Sequence, residues 1–173
     1  MSTGESFKKI TTFIFDVDGV LTDGTVLVLD NGLQARRMNI KDGFALQMAI
    51  KNGYRVLIVS GGNSPQVTNR LERLDVLDVH MSVADKKAFI TNYMSENKLS
   101  KGELLYMADD LPDLPAMAVV GMPCCPADAV EEIKKEVQYI SPLKGGDGCV
   151  RDVIEKVLKL NDHWNYTDDV ASR

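Results

Sequence analysis

Asp16 and Asp18 follow a strongly apolar run at the start of segment 13–24, FIFDVDGVLTDG. If that run is a buried β-strand, it places two carboxylates at the carboxyl end of the strand, where ligands bind in open α/β sheets. In an extended chain the two side chains point to the same side. A buried strand gains nothing from two unpaired charges, so an ordinary acidic loop is the poorer interpretation. One carboxylate can attack phosphorus while the other exchanges a proton with the leaving group.

Three further polar signals follow predicted strands or begin predicted helices. Ser60 ends the apolar run 56–59 and precedes two glycines. Lys86 and Lys87 stand at a predicted helix start, and an acidic cluster beginning at Asp109 follows the apolar run 104–108. A single serine, lysine or acidic cluster carries little information, since acidic clusters are usually solvated loops. All four signals in this order predict one phosphate-handling site.

Segment 16–22, DVDGVLT, resembles the first motif of the phosphatase branch of the haloacid dehalogenase superfamily, and the three later signals resemble its other motifs. The resemblance implies that Asp16 attacks phosphorus to form an aspartyl-phosphate and that Asp18 is the acid/base. It also implies that Ser60 binds a phosphoryl oxygen and that Lys86, preferred here over Lys87, neutralises the phosphate. The implied cofactor is Mg²⁺, and the implied metal residues are Asp16, Asp18, Asp109 and Asp113.

Segments 22–24, 39–43 and 145–151, with a hairpin between the first two, resemble the 3-deoxy-D-manno-octulosonate 8-phosphate phosphatase family over about residues 11–160. That family implies an eight-carbon acidic sugar phosphate of lipopolysaccharide synthesis as substrate. It also implies a capless fold and a homotetramer whose subunits cover one another's sites. The substrate-binding residues that we assign on this basis are Thr22, Lys41, Asp42, Gly61, Gly62, Asn63 and Arg151.

Gly62 departs from the family pattern, which often has a charged residue there, and Ala108 replaces the usual glycine before the paired aspartates. A second hypothesis therefore keeps the mechanism but takes a nine-carbon nonulosonate 9-phosphate as substrate. A phospho-accepting signalling domain is a third hypothesis, although Asp18 argues against a lasting phosphoaspartate. Arg36, Arg37, Lys41 and Arg151 are candidate partners for the sugar carboxylate, and Asp42 and Asn63 have a plain interpretation as helix-start residues.

Short apolar runs alternate with amphipathic segments along the chain, a pattern that predicts parallel βαβ units and a doubly wound α/β sheet. The predicted strands are 11–15, 55–59, 77–80, 104–107 and 138–140. The predicted helices start at Asp42, Ser64-Pro65, Asp85, Leu111-Pro112, Ala127 and Val150.

The segment 25–40 interrupts this alternation with two β-like runs, 25–29 and 33–40, around a turn containing Asn31-Gly32. It predicts a hairpin flap in place of a cap domain. Nothing divides the chain, so one domain over 1–173 is expected. Residues 1–8 and a tail of about 161–173 are expected to be disordered.

The 173 residues carry a net charge of -5, which disfavours nucleic acid or an anionic membrane as a partner, because both require a basic surface. The N-terminus does not resemble a signal peptide, and no apolar run is long enough to span a membrane. We therefore expect a cytoplasmic protein. Cys124, Cys125 and Cys149 lack metal-site spacing and are interpreted as buried, reduced thiols.

Overall fold

The computed structural model describes residues 3–165, and its centre is a six-stranded parallel sheet. The spatial order is β5-β4-β1-β6-β7-β8, so the first strand lies in the middle and the chain winds outward on both sides. The predicted doubly wound α/β fold is confirmed. A separate two-stranded hairpin consists of β2 and β3. The strands are β1 Thr12–Phe15, β2 Leu27–Val28, β3 Gln34–Ala35, β4 Arg55–Val59, β5 Asp78–His80, β6 Leu104–Met107, β7 Met122–Cys125 and β8 Tyr139–Ile140.

Helices cover both faces of the sheet, and β1 and β6 are accordingly buried at every position rather than at alternate ones. One hydrophobic cluster packs α1, α2, α3 and α7 on one face, and a second cluster packs α4, α5 and α6 on the other. The helices are α1 Thr3–Lys8, α2 Ile40–Lys51, α3 Pro65–Glu72, α4 Lys86–Glu96, α5 Leu114–Met117, α6 Glu131–Glu136 and α7 Cys149–Leu160.

Several predicted boundaries are corrected by capping. Helix α2 begins at Ile40 rather than at Asp42, because the Asn39 side chain accepts the Lys41 N–H at 2.8 Å. Ser64 caps α3, so Asn63 lies outside that helix. The predicted helix at Leu111 begins with a single 3₁₀ turn, and the segment from 127 becomes helical only at α6.

The predicted disorder at the chain ends is wrong where the structure describes them. Residues 3–8 form α1, because Phe7 is buried and packs edge-on against Tyr139. At the other end, Trp164 packs against Phe44 and the Tyr54 hydroxyl pairs with His163 at 2.9 Å. Residues 166–173 of the predicted tail lie outside the described residues.

The hairpin flap is present but shorter than predicted, with two paired residues in each strand. The residues of both its strands are exposed. Its base is held by an antiparallel bridge between Thr22 and Met38. No cap domain is evident in this part of the chain. No helix of residues 3–165 has the length and apolar character needed to cross a membrane.

Candidate active site

A cavity of about 520 Å³ opens at the carboxyl edge of the sheet, beside the ends of β1, β4 and β6. Ligands are expected at this edge in open α/β sheets. The four predicted signals therefore meet in one place. The residues around the cavity are Asp16, Asp18, Gly24, Ser60, Gly61, Gly62, Ser82, Val83, Ala84, Lys86, Asp109, Asp110, Pro112 and Asp113.

The loop after β1 does not stay extended between Asp16 and Asp18. It turns tightly over Val17–Leu21, with Gly19 at a φ of +83°. A side chain at Gly19 would place its Cβ 1.9 Å from an Asp109 carboxylate oxygen, so the glycine is needed for both conformation and space. The turn still brings both aspartates to the cavity, and it sets the Asp109 carboxylate directly against the loop backbone.

Lys86 lies between two buried carboxylates. Its Nζ donates to Asp16 Oδ1 at 2.9 Å and to Asp113 Oδ1 at 2.6 Å. The Tyr106 hydroxyl donates to the same Asp113 oxygen. Burial alone would lower the pKa of Lys86, but the two carboxylates outweigh it and the pKa is raised. Lys86 is therefore a fixed cation that holds Asp16 in place, and Asp113 supports it from behind.

The negative charge of the cavity exceeds what Lys86 offsets. Burial, then the charge of Asp113, raises the pKa of Asp16 to about 6 despite Lys86. Burial, then the charges of Asp16 and Asp110, raises the pKa of Asp109 to about 7. A divalent cation between Asp16 and Asp109 would relieve this repulsion. No three acidic, histidine or cysteine side chains converge as a metal cluster within residues 3–165, so backbone carbonyls and water would complete the coordination shell.

Ser60 and the two glycines after it form the opposite wall of the cavity. The Ser60 Oγ is buried and accepts the Gly62 N–H at 3.1 Å, which leaves the hydroxyl proton available to an incoming oxygen. A Cβ at Gly62 would lie 3.6 Å from Asp18 Oδ2. The glycine thus borders the space beside Asp18.

The other predicted substrate-binding residues are not brought to this cavity within one chain. Thr22 is fully buried, and its Oγ1 accepts the N–H groups of Gly19 and Gly24 at 3.3 Å, so it braces the loop. Lys41 and Arg151 line a second cavity of about 580 Å³. Asp42 is buried between α2 and α7, where its Oδ1 accepts the Arg151 N–H at 2.8 Å.

Burial raises the pKa of Asp42 to about 6. The exposed Asn63 does not line the catalytic cavity either. Roles in substrate binding for Asn63 and for the residues near α7 stay predictions.

Two contacts of the site have no counterpart in the four sequence signals. Tyr106 sits inside an apolar strand, and its hydroxyl reaches Asp113 only because the strand end and the following turn face each other. Arg36 on the hairpin pairs with Asp18. The sequence marks Arg36 as a free cation for a substrate carboxylate, and no spacing rule relates it to a residue 18 positions away.

Gly145→Ala is expected to lower both stability and activity, because a Cβ there would lie 1.9 Å from the Gly19 carbonyl oxygen, a backbone atom that cannot rotate away. We expect about 3 kcal/mol of destabilisation, as for overpacking of a rigid site, measured by urea unfolding. Gly102→Ala is the matched control, because its Cβ would meet nothing within 4 Å. Equal stability of the two variants would contradict this contact.

No protein-family model matches the chain. The curated 3-deoxy-D-manno-octulosonate 8-phosphate phosphatase KdsC of Salmonella typhi is 28% identical over 151 residues, covering 87% of this chain and 80% of that protein. A probable YrbI family phosphatase from Pseudomonas syringae pv. phaseolica has a solved structure that superposes with a TM-score of 0.90. It is 30% identical and covers 93% of this chain and 92% of its own.

The 3-deoxy-D-manno-octulosonate 8-phosphate phosphatase of Moraxella catarrhalis, solved with magnesium, phosphate and KDO, superposes with a TM-score of 0.88 at 28% identity. It covers 92% of each chain. These likenesses extend over nearly the whole described fold and agree with the motifs that meet at the cavity. The chain therefore belongs to the haloacid dehalogenase superfamily, in its 3-deoxy-D-manno-octulosonate 8-phosphate phosphatase (YrbI) family of phosphomonoesterases.

Proposed function

We propose that this protein is a Mg²⁺-dependent phosphatase that hydrolyses 3-deoxy-D-manno-octulosonate 8-phosphate to the free sugar and phosphate. The observation that carries the proposal is the buried Asp16 carboxylate at the sheet edge, fixed by Lys86 and facing an open cavity. The KdsC relatives supply the substrate, since they are named for it. A single domain over residues 1–173 and a cytoplasmic location belong to the same proposal.

In the first step the Asp16 carboxylate attacks phosphorus, and the new aspartyl O–P bond forms in line with the bond from phosphorus to the sugar oxygen, which breaks. Asp18 gives its proton to the departing sugar oxygen. In the second step a water gives a proton to Asp18 and attacks phosphorus, which breaks the aspartyl O–P bond and releases phosphate. Ser60 donates to a phosphoryl oxygen, and the Lys86 cation offsets charge on the transferring group.

The donor set fits Mg²⁺, a hard cation that keeps several waters and uses few carboxylates. Asp16 and Asp109 would hold it together with the Asp18 backbone carbonyl. Burial, and after it the charge of neighbouring carboxylates, raises the pKa of both groups, and the ion would favour their ionised forms. When bound, the ion supplies charge stabilisation to the phosphoryl group. The Moraxella relative was solved with this ion. Asp113 would act on the ion indirectly, because its inner oxygen is already bonded to Lys86 and Tyr106.

The experiment that tests the proposal is phosphate release with Mg²⁺ from a panel of substrates. The panel contains the eight-carbon ulosonate 8-phosphate, nine-carbon nonulosonate 9-phosphates, hexose phosphates and acetyl phosphate. The eight-carbon sugar is expected to give the highest kcat/KM. Preference for a nine-carbon sugar would keep the mechanism and replace the substrate, an outcome that the uncharged Gly62 beside Asp18 makes worth testing. Hydrolysis of none of them would overturn the proposal.

Asp109→Asn is expected to raise the Mg²⁺ concentration that gives half-maximal activity by about 10- to 100-fold, because it removes one of two anionic ligands. Titration of Mg²⁺ into metal-free enzyme measures the shift, and excess chelator should abolish the wild-type activity. Asp110→Asn is the control, since Asp110 is exposed and its carboxylate caps the next turn at Leu111. An equal shift in both variants would show that only net charge matters.

The proposed homotetramer is supported by the hairpin, where Leu27 and Val28 are 64% and 68% exposed. Apolar side chains on both faces of a two-stranded ribbon are unstable in water without a partner surface. Leu27→Glu is expected to dissociate the assembly, which light scattering would show as a fall from four copies of the 19.1-kDa chain toward one. Leu77→Glu, at a residue that is 80% exposed and directly precedes the edge strand β5, should leave the mass unchanged. A monomeric wild-type protein would refute the assembly.

A further inference from the structure

Arg36 is the one residue of the hairpin strands and turn, 27–36, that the structure joins to a catalytic side chain. Its Nε donates to Asp18 Oδ1 at 2.7 Å, and a terminal guanidinium nitrogen lies 3.3 Å from Asp18 Oδ2. The Arg36 side chain is only 9% exposed although its hairpin is open to solvent, whereas the Asp18 side chain is 41% exposed. The hairpin, whose residues are mostly exposed, thus places the largely buried Arg36 side chain against Asp18, the proposed acid/base.

The two contacts are unequal, and the difference fixes the orientation of Asp18. The short bond holds Oδ1, while Oδ2 has only the longer contact and faces the space beside Gly62, where a Cβ would lie 3.6 Å away. A planar guanidinium restricts both the position and the rotation of the carboxylate that it holds. Both oxygens are therefore held, Oδ1 by the shorter bond, and Oδ2 is the oxygen that lies beside Gly62 at the catalytic cavity.

The neighbouring arginine does not share this role. Arg37 is 70% exposed and pairs with Asp23 at 3.3 Å and with Asp147 at 3.7 Å, outside the catalytic cavity. The hairpin thus carries two adjacent cations of equal charge, of which one contacts the acid/base and the other does not. Substitution of Arg36 and of Arg37 removes the same charge, so a difference between the two variants reports the contact with Asp18.

We propose that Arg36 is a positioning residue that holds Asp18 so that Oδ2 faces the oxygen of the leaving group, and that it so couples the hairpin to catalysis. The inference rests on the proposed function, because it takes Asp18 as the acid/base. Misplacing a catalytic group by about 1 Å can cost about 100-fold in rate. The rate loss should appear only where the leaving group needs the Asp18 proton. A sugar alkoxide leaves poorly unless it is protonated, whereas p-nitrophenolate leaves readily without a proton.

The test is the single-turnover rate of leaving-group release, with enzyme in excess and saturating Mg²⁺, for a sugar phosphate and for p-nitrophenyl phosphate. Arg36→Gln is expected to slow sugar release by about 100-fold and p-nitrophenolate release by less than about 3-fold. Arg36→Lys should recover part of the loss, because one donor remains. Arg37→Gln should leave the ratio of the two rates unchanged.

Asp18→Asn provides the second measurement. If Arg36 acts through Asp18, adding Arg36→Gln to Asp18→Asn lowers sugar release no further, whereas independent roles would give multiplied losses. Three results would overturn the inference. Arg36→Gln could slow release from the sugar phosphate and from p-nitrophenyl phosphate equally, or it could change only the substrate concentration that gives the half-maximal rate. The double variant could also show the product of the two single losses. Failure of the proposed function gives a different result, namely a wild-type enzyme that hydrolyses neither compound.

Discussion

Asp16→Asn should lower the single-turnover rate of phosphate-ester cleavage by at least about 10⁴-fold, because an amide cannot replace the attacking carboxylate and removal of a nucleophile leaves only binding and electrostatic catalysis. Acid-quenched wild-type enzyme should carry phosphate from a labelled substrate, whereas the variant should carry none. The fold should survive, since the change removes a buried charge and leaves the contact between Lys86 and Asp113. Circular dichroism before the assay checks this point.

Asp30→Asn is the matched control for this loss, because it makes the same chemical change at an exposed position in the hairpin turn. It should retain activity within about 3-fold of wild type, as surface substitutions usually do. Activity that persists in Asp16→Asn, or labelled phosphate that stays on the variant protein, would show that another group accepts the phosphoryl group.

Lys86→Met is expected to have the second largest effect, on both activity and stability. Methionine preserves much of the side-chain volume but leaves Asp16 and Asp113 close together without their shared cation. Breaking a buried ion pair by removing one partner costs about 3 kcal/mol, and kcat should fall by about 10³-fold with the loss of charge at the phosphoryl group. Urea unfolding and steady-state kinetics measure the two losses.

The pH dependence of that loss distinguishes electrostatics from packing. In the variant Asp16 is buried without Lys86, so its pKa in the folded state should lie further above its value in the unfolded chain. Such groups stabilise the folded state at low pH, and this contribution is lost as the pH rises through the folded-state values. The destabilisation should therefore be larger at pH 8 than at pH 5. The exposed Lys87, changed to Met, should show neither effect, and an equal loss there would reopen the choice between the two lysines.

The sequence predicts the central features of the fold because they depend on local pattern. The runs that became β1, β4 and β6 are apolar after Thr12 and Arg55 at the starts of β1 and β4, as is typical of strands buried on both faces. Strand β7 is different, because Pro123 lacks an N–H donor and the two cysteines have little β character. It forms anyway, since Pro123 accepts from the Gln138 N–H through its carbonyl.

In the candidate site, too, some residues are predictable from local pattern and others are not. Asp16, Lys86 and Asp109 each follow a strand or begin a helix, so order along the chain is enough to predict that they meet. Their catalytic and metal-binding roles stay predictions, which the variants described above test. The contact between Arg36 and Asp18 depends on how the hairpin folds back over the strand end, which is a tertiary property that no local pattern encodes. Asp42 shows the opposite case, because its motif predicts a ligand while packing of α2 against α7 buries it.

The bracing of the catalytic loop from behind has a consequence for how this enzyme can open. The Gly146 N–H donates to the Val20 carbonyl at 3.0 Å, and the Gly145 backbone lies against Gly19 with no space for a side chain between them. The loop and the start of α7 must therefore separate together, in a single sub-global opening rather than by local fraying. The amide hydrogen of Gly146 should then exchange with solvent deuterium only as rarely as the loop itself opens, and heat inactivation should track that exchange.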